Sequence, residues 1–332
     1  MTISGFALVF IAGVLNGSFA VPMKRMHGWA WENVWLAWSA IGLLLLPLGL
    51  AVTTVPGLAD IYLRSDPPIL FAVLGSGFLW GVSQLLFGLG IERIGIGLGF
   101  AVVISLAAVT GSLAPLLLDT HTQNTFVGSR LASGIFLVLA GVGLCSYAST
   151  LKAHAGETSR RNARLGLFLC VGAGIGGAMI NVGMVAGGRI ANFAAENGAQ
   201  QVNRTNAVWL PLLFAGFVAT AAYCAWLLTK RGGWQRFWAS ETIFYWGFAL
   251  VMAICWFGSV ELYGIGAARL GVAGPVLGWP VFLSSSIATA NVWSAATGEW
   301  NDSALRAKRL MCAGIGVLMI AMFVTAFAAA GA

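Results

Sequence analysis

Long apolar runs, each about as long as a membrane-spanning helix, occupy most of this 332-residue chain. A hydrocarbon core about 30 Å thick requires roughly 20 consecutive apolar residues for one helical crossing. Only 9% of the residues are charged, whereas soluble domains carry roughly 25%. A helix satisfies its backbone polar groups within one segment, as the bilayer requires. The sequence therefore predicts an all-α integral membrane protein.

The predicted spans number ten, with short polar connections that leave no room for a soluble domain. Their bounds are 3–22, 34–55, 69–91, 94–118, 131–151, 165–187, 207–229, 242–267, 270–294 and 310–330. A secretory signal begins with basic residues, and the first basic residue here is Lys24. We therefore interpret the first apolar run as a retained helix.

The basic residues are unevenly distributed among the connections. The odd-numbered connections hold 13 of the 18 Lys and Arg residues, and the even-numbered ones hold 5. Short cytoplasmic loops carry an excess of positive charge. The odd-numbered connections are therefore predicted inside and both termini outside, in a multi-pass protein of the cell (inner) membrane. The net charge of +7 is explained by topology, so nucleic acid is not an expected partner.

A repeat relates the two halves of the chain. FGLGIERIG at 87–95 and YGIGAARLG at 263–271 share a pattern, and GFALVFIAGVLNG at 5–17 resembles GLFLCVGAGIGGA at 166–178. Pairs at the 176-residue spacing include Trp80 with Trp256, Arg93 with Arg269 and Arg130 with Arg306. Five helices per unit is an odd number, so the second unit enters the membrane from the opposite side. Residues 1–155 and 156–332 are thus predicted to form two inverted five-helix repeats, an architecture typical of secondary transporters.

Several blocks carry a family resemblance. They are PMKRMHGWAWENVW at 22–35, LWGVSQLLFGLGIERIGIGLG at 79–99, AGVGLCSYA at 140–148, LYGIGAARLGVAGPVLGWP at 262–280 and GEWND at 298–302. Together they resemble the L-rhamnose/proton symporter family of the drug/metabolite transporter superfamily, nearly end to end. The resemblance implies ten helices in two five-helix units and proton-driven uptake of a monosaccharide, L-rhamnose or a related sugar. Because the superfamily includes exporters, export of amino acids or other small metabolites is the alternative.

Two carboxylates are candidates for proton coupling. Glu261 lies in the eighth predicted helix, where desolvation favours a neutral carboxyl that can take up and release a proton. Alternatively, it is hydrated near the outer surface or paired with Arg269. Glu32 is the second candidate. It follows a basic connection, so pairing with Lys24 or Arg25, or capping of the second helix, competes with proton transfer.

Sugar recognition requires hydrogen-bonding side chains and aromatic rings in a cavity. Amides left unpaired in lipid are unfavourable, so those in apolar helices are expected to face the bundle interior. The polar candidates, each of which contacts either substrate or another helix, are Asn16, Ser18, Gln84, Asn181, Tyr263 and Asn291. The aromatic candidates, for which core packing is the competing role, are Trp38, Trp80, Trp256 and Trp279.

No enzyme, metal or cofactor chemistry is predicted. The three histidines, His27, His121 and His154, lie in mutually distant connections, and the aspartates also lie in connections. The five cysteines fall within apolar spans, where a free thiol behaves as a small hydrophobe. The expected partners are therefore a sugar, protons and the lipid bilayer. A receptor or scaffold is the remaining class, and it predicts no substrate-dependent flux.

Overall fold

Helices form nearly all of the described structure, which is a computed structural model. It describes residues 3–118, 157–270, 278–301 and 303–330, with isolated positions between 133 and 151. No strand occurs in these residues, and the all-α class is confirmed. The α-helices are α1 (Ile3–Ser18), α2 (Trp31–Ser39), α3 (Leu46–Thr54), α4 (Leu58–Arg64), α5 (Pro67–Ile94), α6 (Ile96–Leu118), α7 (Glu157–Gly177), α8 (Met179–Ala186), α9 (Gly188–Glu196), α10 (Asn206–Arg231), α11 (Tyr245–Arg269), α12 (Trp279–Ala296) and α13 (Leu305–Ala330).

Six helical stretches among the described residues are long and apolar enough to cross a membrane. They are Ser4–Arg25, Trp31–Thr54, Pro67–Ile94, Asn162–Ala186, Asn206–Arg231 and Tyr245–Arg269. Large apolar side chains point outward from them, among them Phe71 and Phe168, which are 73% and 74% exposed. Lipid would cover such surface. Only isolated positions of the predicted span 131–151 are described, and the count of ten spans stays a prediction.

The chain packs as two compact units, each built from both halves of the sequence. Unit 1 consists of Met1–Ser18, Leu86–Ala178 and Ser259–Ala332, and unit 2 of Phe19–Leu85 and Met179–Gly258. The chain therefore passes from one unit to the other at four points. Two of these points fall inside α5 and α11, so each of these helices contributes one part to each unit.

Unit 1 is built around α12. α1 lies so close to it that a Cβ added at Gly13 would be 2.6 Å from the carbonyl oxygen of Phe282. α6 contacts α12 through Asn291, whose Nδ2 donates to the Gly97 carbonyl at 3.3 Å. Small residues allow this approach, which lipid-embedded helices need because lipid supplies no hydrophobic drive for association.

Unit 2 contains one span in which the helix type changes. α2 and α3 are joined without a break by a π-helical segment, Ala40–Leu45. Pro47 follows this segment within the first turn of α3. A proline has no N–H to donate, and its ring crowds the carbonyl four residues earlier, so widening of the preceding turn relieves both problems.

The long connection of the second half, 188–206, contains α9, an amphipathic helix with one buried face. Two contacts tie this region and the start of α10 to α4 and to the residue before α5. Arg189 pairs with Asp66 at 2.8 Å, and the Tyr62 hydroxyl donates to the Ala207 carbonyl at 2.9 Å. Burial raises the pKa of Tyr62, so this hydroxyl remains a donor at neutral pH.

α5 and α10 cross where both helices carry glycine. A Cβ added at Gly81 would lie 2.5 Å from the Cα and the carbonyl oxygen of Gly216. Gly77, one turn earlier, faces the Leu212 carbonyl in the same way. This spacing of small residues allows the two backbones to touch.

We expect Gly81→Leu to separate α5 from α10 and to destabilise the protein by about 1–3 kcal/mol, the usual effect of overpacking. Gly75→Leu is the matched control, because no atom lies within 4 Å of a Cβ added there. Thermal unfolding in detergent measures both variants. Equal melting temperatures for the two would contradict the backbone contact.

Candidate functional site

Three predicted site tryptophans form one aromatic cluster in unit 2. The ring centroids of Trp38 and Trp256 lie 5.9 Å apart, and those of Trp80 and Trp256 lie 5.5 Å apart. Trp38 is 0% exposed and Trp80 is 3% exposed. The repeat-related pair thus contact each other, and in this conformation Trp38 presents no free face to a substrate.

The cluster continues towards the start of α2 through Trp35 and Trp31. Trp31 and Trp35 stack at 5.5 Å, and Trp35 lies 4.8 Å from Trp38. Within the described residues, the buried indole N–H groups of Trp31 and Trp38 have no acceptor. Burying such a donor unpaired is costly, and polar interiors commonly satisfy it with water or a ligand.

Glu32 is a buried carboxylate at the start of α2, paired with an arginine whose side chain is 61% exposed. The Glu32 side chain is 1% exposed, and both carboxylate oxygens accept from Nη1 of Arg231 at 3.2 Å. The predicted partners, Lys24 and Arg25, were therefore wrong. The true partner lies 199 residues away, at the end of α10, and only the fold brings it to α2.

Asn33 makes the cap that was predicted as one role of Glu32. Its Oδ1 accepts from the Ala30 N–H at 3.3 Å, and its Nδ2 donates to the Gly233 carbonyl at 3.0 Å. It is 0% exposed. Sequence reasoning missed this residue, because Ala30 and Asn33 do not match the usual capping pattern of Ser or Thr followed three residues later by Glu or Gln.

Two of the predicted sugar-binding residues already have protein partners in unit 1. The Ser18 hydroxyl donates to the Val14 carbonyl at 2.7 Å and accepts from Nε1 of Trp293 at 2.9 Å. Asn291 donates to the Gly97 carbonyl and, at 2.9 Å, to that of Ile287. Both side chains therefore act in helix packing in this conformation.

Four other predicted residues keep free polar groups. Asn16 and Glu261 in unit 1 and Gln84 in unit 2 are half-buried, whereas Asn181 in unit 2 is exposed. Within the part of the chain that the structure describes, none of the four makes a hydrogen bond or an ion pair. Glu261 is thus not paired with Arg269, one of its predicted alternatives. These four side chains remain available to a substrate, a proton or water.

The last two candidates, Tyr263 and Trp279, belong to unit 1. Tyr263 of α11 packs on Phe282 of α12, with ring centroids 5.0 Å apart. Trp279 begins α12, and its side chain lies outside the described residues. Among the described residues, no group of three metal-binding side chains is found.

Residues 2–331 match the family described as L-rhamnose-proton symport protein (RhaT). The chain belongs to this family. It is similar to the L-rhamnose-proton symporter of Mannheimia succiniciproducens, with 23% identity over 330 residues and 94% of both chains covered. Those of Klebsiella pneumoniae and Escherichia coli are 22% identical over 316 residues and 21% identical over 313 residues, with 91% of both chains covered.

Membership of the L-rhamnose-proton symport family confirms the resemblance stated from the sequence blocks. The family consists of transporters, so the chain is a secondary transporter and not an enzyme. The alternative of metabolite export is not favoured. For a symporter, the free polar side chains are the groups of interest, because sugar and proton must each find partners inside a largely apolar protein.

Substitution of Arg231 tests whether the ion pair with Glu32 has a structural role. We expect Arg231→Ala to destabilise this symport-family protein by about 1–3 kcal/mol, because it leaves a buried charge unpaired. Lys230→Ala, at the preceding residue, removes a cation–π contact in which the Lys230 Nζ lies 5.1 Å from the centroid of the Trp226 ring. This variant should lose less stability than Arg231→Ala. Unfolding of the purified variants measures the difference. A stable Arg231→Ala protein would contradict a structural role for the pair.

Proposed function

We propose that the chain carries L-rhamnose or a related monosaccharide into the cell together with a proton, by alternating access. The family match over residues 2–331 carries this proposal. The free carboxyl and amide groups of Glu261, Asn16 and Gln84 support it, because a symporter needs groups for both cargoes. Sugar and proton bind from the outside, and both leave to the cytoplasm.

The proposed topology has ten spans. The odd-numbered connections lie inside, and both termini lie outside. Contacts within single units support it. The first and seventh connections meet where Trp29 donates to the Arg236 carbonyl at 2.9 Å. The second and sixth meet at Arg189 and Asp66. Two connections on the same side of a membrane must be separated by an even number of crossings. The ten-span topology places an even number of crossings between the members of each of these two pairs.

The two inverted repeats, 1–155 and 156–332, are supported by the points at which the chain changes unit. The changes after Ser18 and after Ala178 are 160 residues apart, close to the 161-residue offset of the early sequence blocks. Those after Leu85 and after Gly258 are 173 residues apart, close to the later offset of 176. A duplicated chain would change unit at equivalent positions in each copy.

We assign proton coupling to Glu261. Its carboxyl lies within an apolar helix and makes no ion pair with any described residue. An intramembrane carboxyl without a counter-charge is more stable neutral, so it binds a proton readily and releases it when hydrated. Glu32, by contrast, is paired with Arg231.

We assign sugar binding to Asn16 and Gln84, with Asn181 as a third amide. Each presents a donor and an acceptor that no described residue uses. Sugar hydroxyl groups can donate and accept in turn, so amides match them well. Asn16 and Asn181 also lie at nearly equivalent positions of the two repeats.

The coupling proposal predicts that L-rhamnose makes the medium outside reconstituted vesicles more alkaline. Glu261→Gln should abolish this signal and keep L-rhamnose counterflow, which requires no net proton movement. Glu196→Gln, an exposed glutamate at the end of α9, is the control and should behave as wild type. A pH-sensitive dye and radiolabelled sugar measure the two quantities.

Two results would overturn these assignments separately. Unchanged pH dependence of uptake in Glu261→Gln would remove Glu261 from coupling and leave Glu32 as the candidate. Absence of counterflow with every member of a monosaccharide panel would overturn sugar transport itself.

The amide proposal predicts a different pattern. Asn16→Ala and Gln84→Ala should raise the KM for L-rhamnose roughly tenfold or more, because each loses about 1.5 kcal/mol of hydrogen bonding. Asn291→Ala should instead lower the melting temperature, since its amide already bonds to two carbonyl groups. The exposed Asn192 on α9 gives the control Asn192→Ala. Unchanged KM in both Asn16→Ala and Gln84→Ala would refute the assignment.

A further inference from the structure

Glu299 lies in the connection between α12 and α13 and reaches the first turn of α6. Its Oε1 accepts from the Ile96 N–H at 3.1 Å, and its Oε2 accepts from the Ser294 hydroxyl at 2.6 Å. Nε1 of Trp300 donates to the same Ser294 oxygen at 3.1 Å. We call these four residues, all in unit 1, the Glu299 clamp.

α6 has no cap of its own. Gly95 precedes it, ends α5 and has a φ of +89°. A helix N-terminus carries unsatisfied N–H groups and partial positive charge, and glycine has no side chain to accept from them. A Cβ at Gly95 would also collide with the Glu299 carboxylate. Glycine is therefore required here for its backbone angle and for space, and Glu299 supplies the cap from 203 residues away.

The Glu299 clamp lies beside a tightly packed contact between α6 and α12. Ser294 is 1% exposed, and a Cβ added at Gly97 would lie 2.8 Å from the Ser294 Cβ. Small residues alone would allow α6 to slide along α12, since they interlock poorly. The charge-assisted hydrogen bond to Ile96 fixes the register of the two helices at this end.

The clamp has a charged residue in only one of the two repeats. At the 176-residue spacing Glu299 corresponds to Gln123, which is neutral and lies outside the described residues. Gly95 lies next to the third connection and Glu299 lies in the ninth, and the proposed topology places both connections inside. In an inverted repeat with identical copies, the inward-open and outward-open states would have equal free energy. Differences between the copies therefore set the balance of the two states.

We infer that Glu299 is a positioning residue of the transport cycle. It holds the cytoplasmic ends of α6 and α12 together in the empty carrier and favours the return to the outward-open state. A loaded carrier also has its contacts with sugar and proton, whereas the empty carrier depends on protein contacts alone. Loss of the clamp thus slows the return of the empty carrier more than the exchange of bound sugar. This inference rests on the proposed function above.

The test compares wild type, Glu299→Gln and the control Glu92→Gln, which changes an exposed glutamate at the end of α5. In Glu299→Gln, proton-driven net uptake of L-rhamnose should fall about tenfold, the effect of one charge-assisted hydrogen bond on an equilibrium. Counterflow should remain within about twofold of wild type, and the proton-to-sugar ratio should not change. Hydrogen exchange of residues 96–99 should become faster. Glu92→Gln should match wild type in every measurement.

Parallel loss of net uptake and counterflow in Glu299→Gln would overturn the inference, because it indicates a purely structural role. Unchanged hydrogen exchange at 96–99 would also overturn it. If Glu299→Gln does not fold, Ser294→Ala carries the test, since it removes the hydroxyl that bonds to Glu299 and Trp300 and keeps the charge. It should lower net uptake in the same direction by a smaller factor. Hydrogen exchange requires no sugar, so it reports on the clamp even where wild type shows no L-rhamnose flux and the proposed function fails.

Discussion

Direct backbone contact between helices is the constraint on which the rest of this structure depends. Lipid is as apolar as the side chains, so burial of apolar surface does not drive helices together. Close contact at small residues does so instead, as at Gly81 with Gly216 in unit 2 and at Gly13 in unit 1. Such contacts are short-range and permit sliding, so polar side chains must fix the register. Asn291 on the Gly97 carbonyl does this for α6 and α12.

Polar side chains in the apolar helices therefore divide into two groups. Those with backbone carbonyl partners, such as Ser18 and Asn291, belong to helix packing. Those without a polar partner among the described residues, such as Asn16, Gln84 and Glu261, join no helices by hydrogen bonds and carry a desolvation cost. A protein keeps such groups where their partners are transient, and a symporter has two transient partners.

The sequence predicted whole helices well and helix interiors poorly. The predicted spans 69–91 and 207–229 correspond to α5 and α10, because about 20 apolar residues average out local errors. The break between α7 and α8 at Ala178 and the π segment before Pro47 were missed, since each depends on a single turn. For the site, the sequence identified residue types. It could not say which amides were already bonded, because their partners come from distant segments.

Three glutamates show why position along an apolar chain does not determine a carboxyl's role. Glu32 has a counter-charge in Arg231 at the start of α2. Glu299 accepts hydrogen bonds from the Ile96 N–H and the Ser294 hydroxyl at the positive end of α6. Glu261 has neither among the described residues. A carboxyl without such partners is best placed to exchange a proton when water reaches it, and this difference supports the proposals of Glu261 for coupling and Glu299 for positioning.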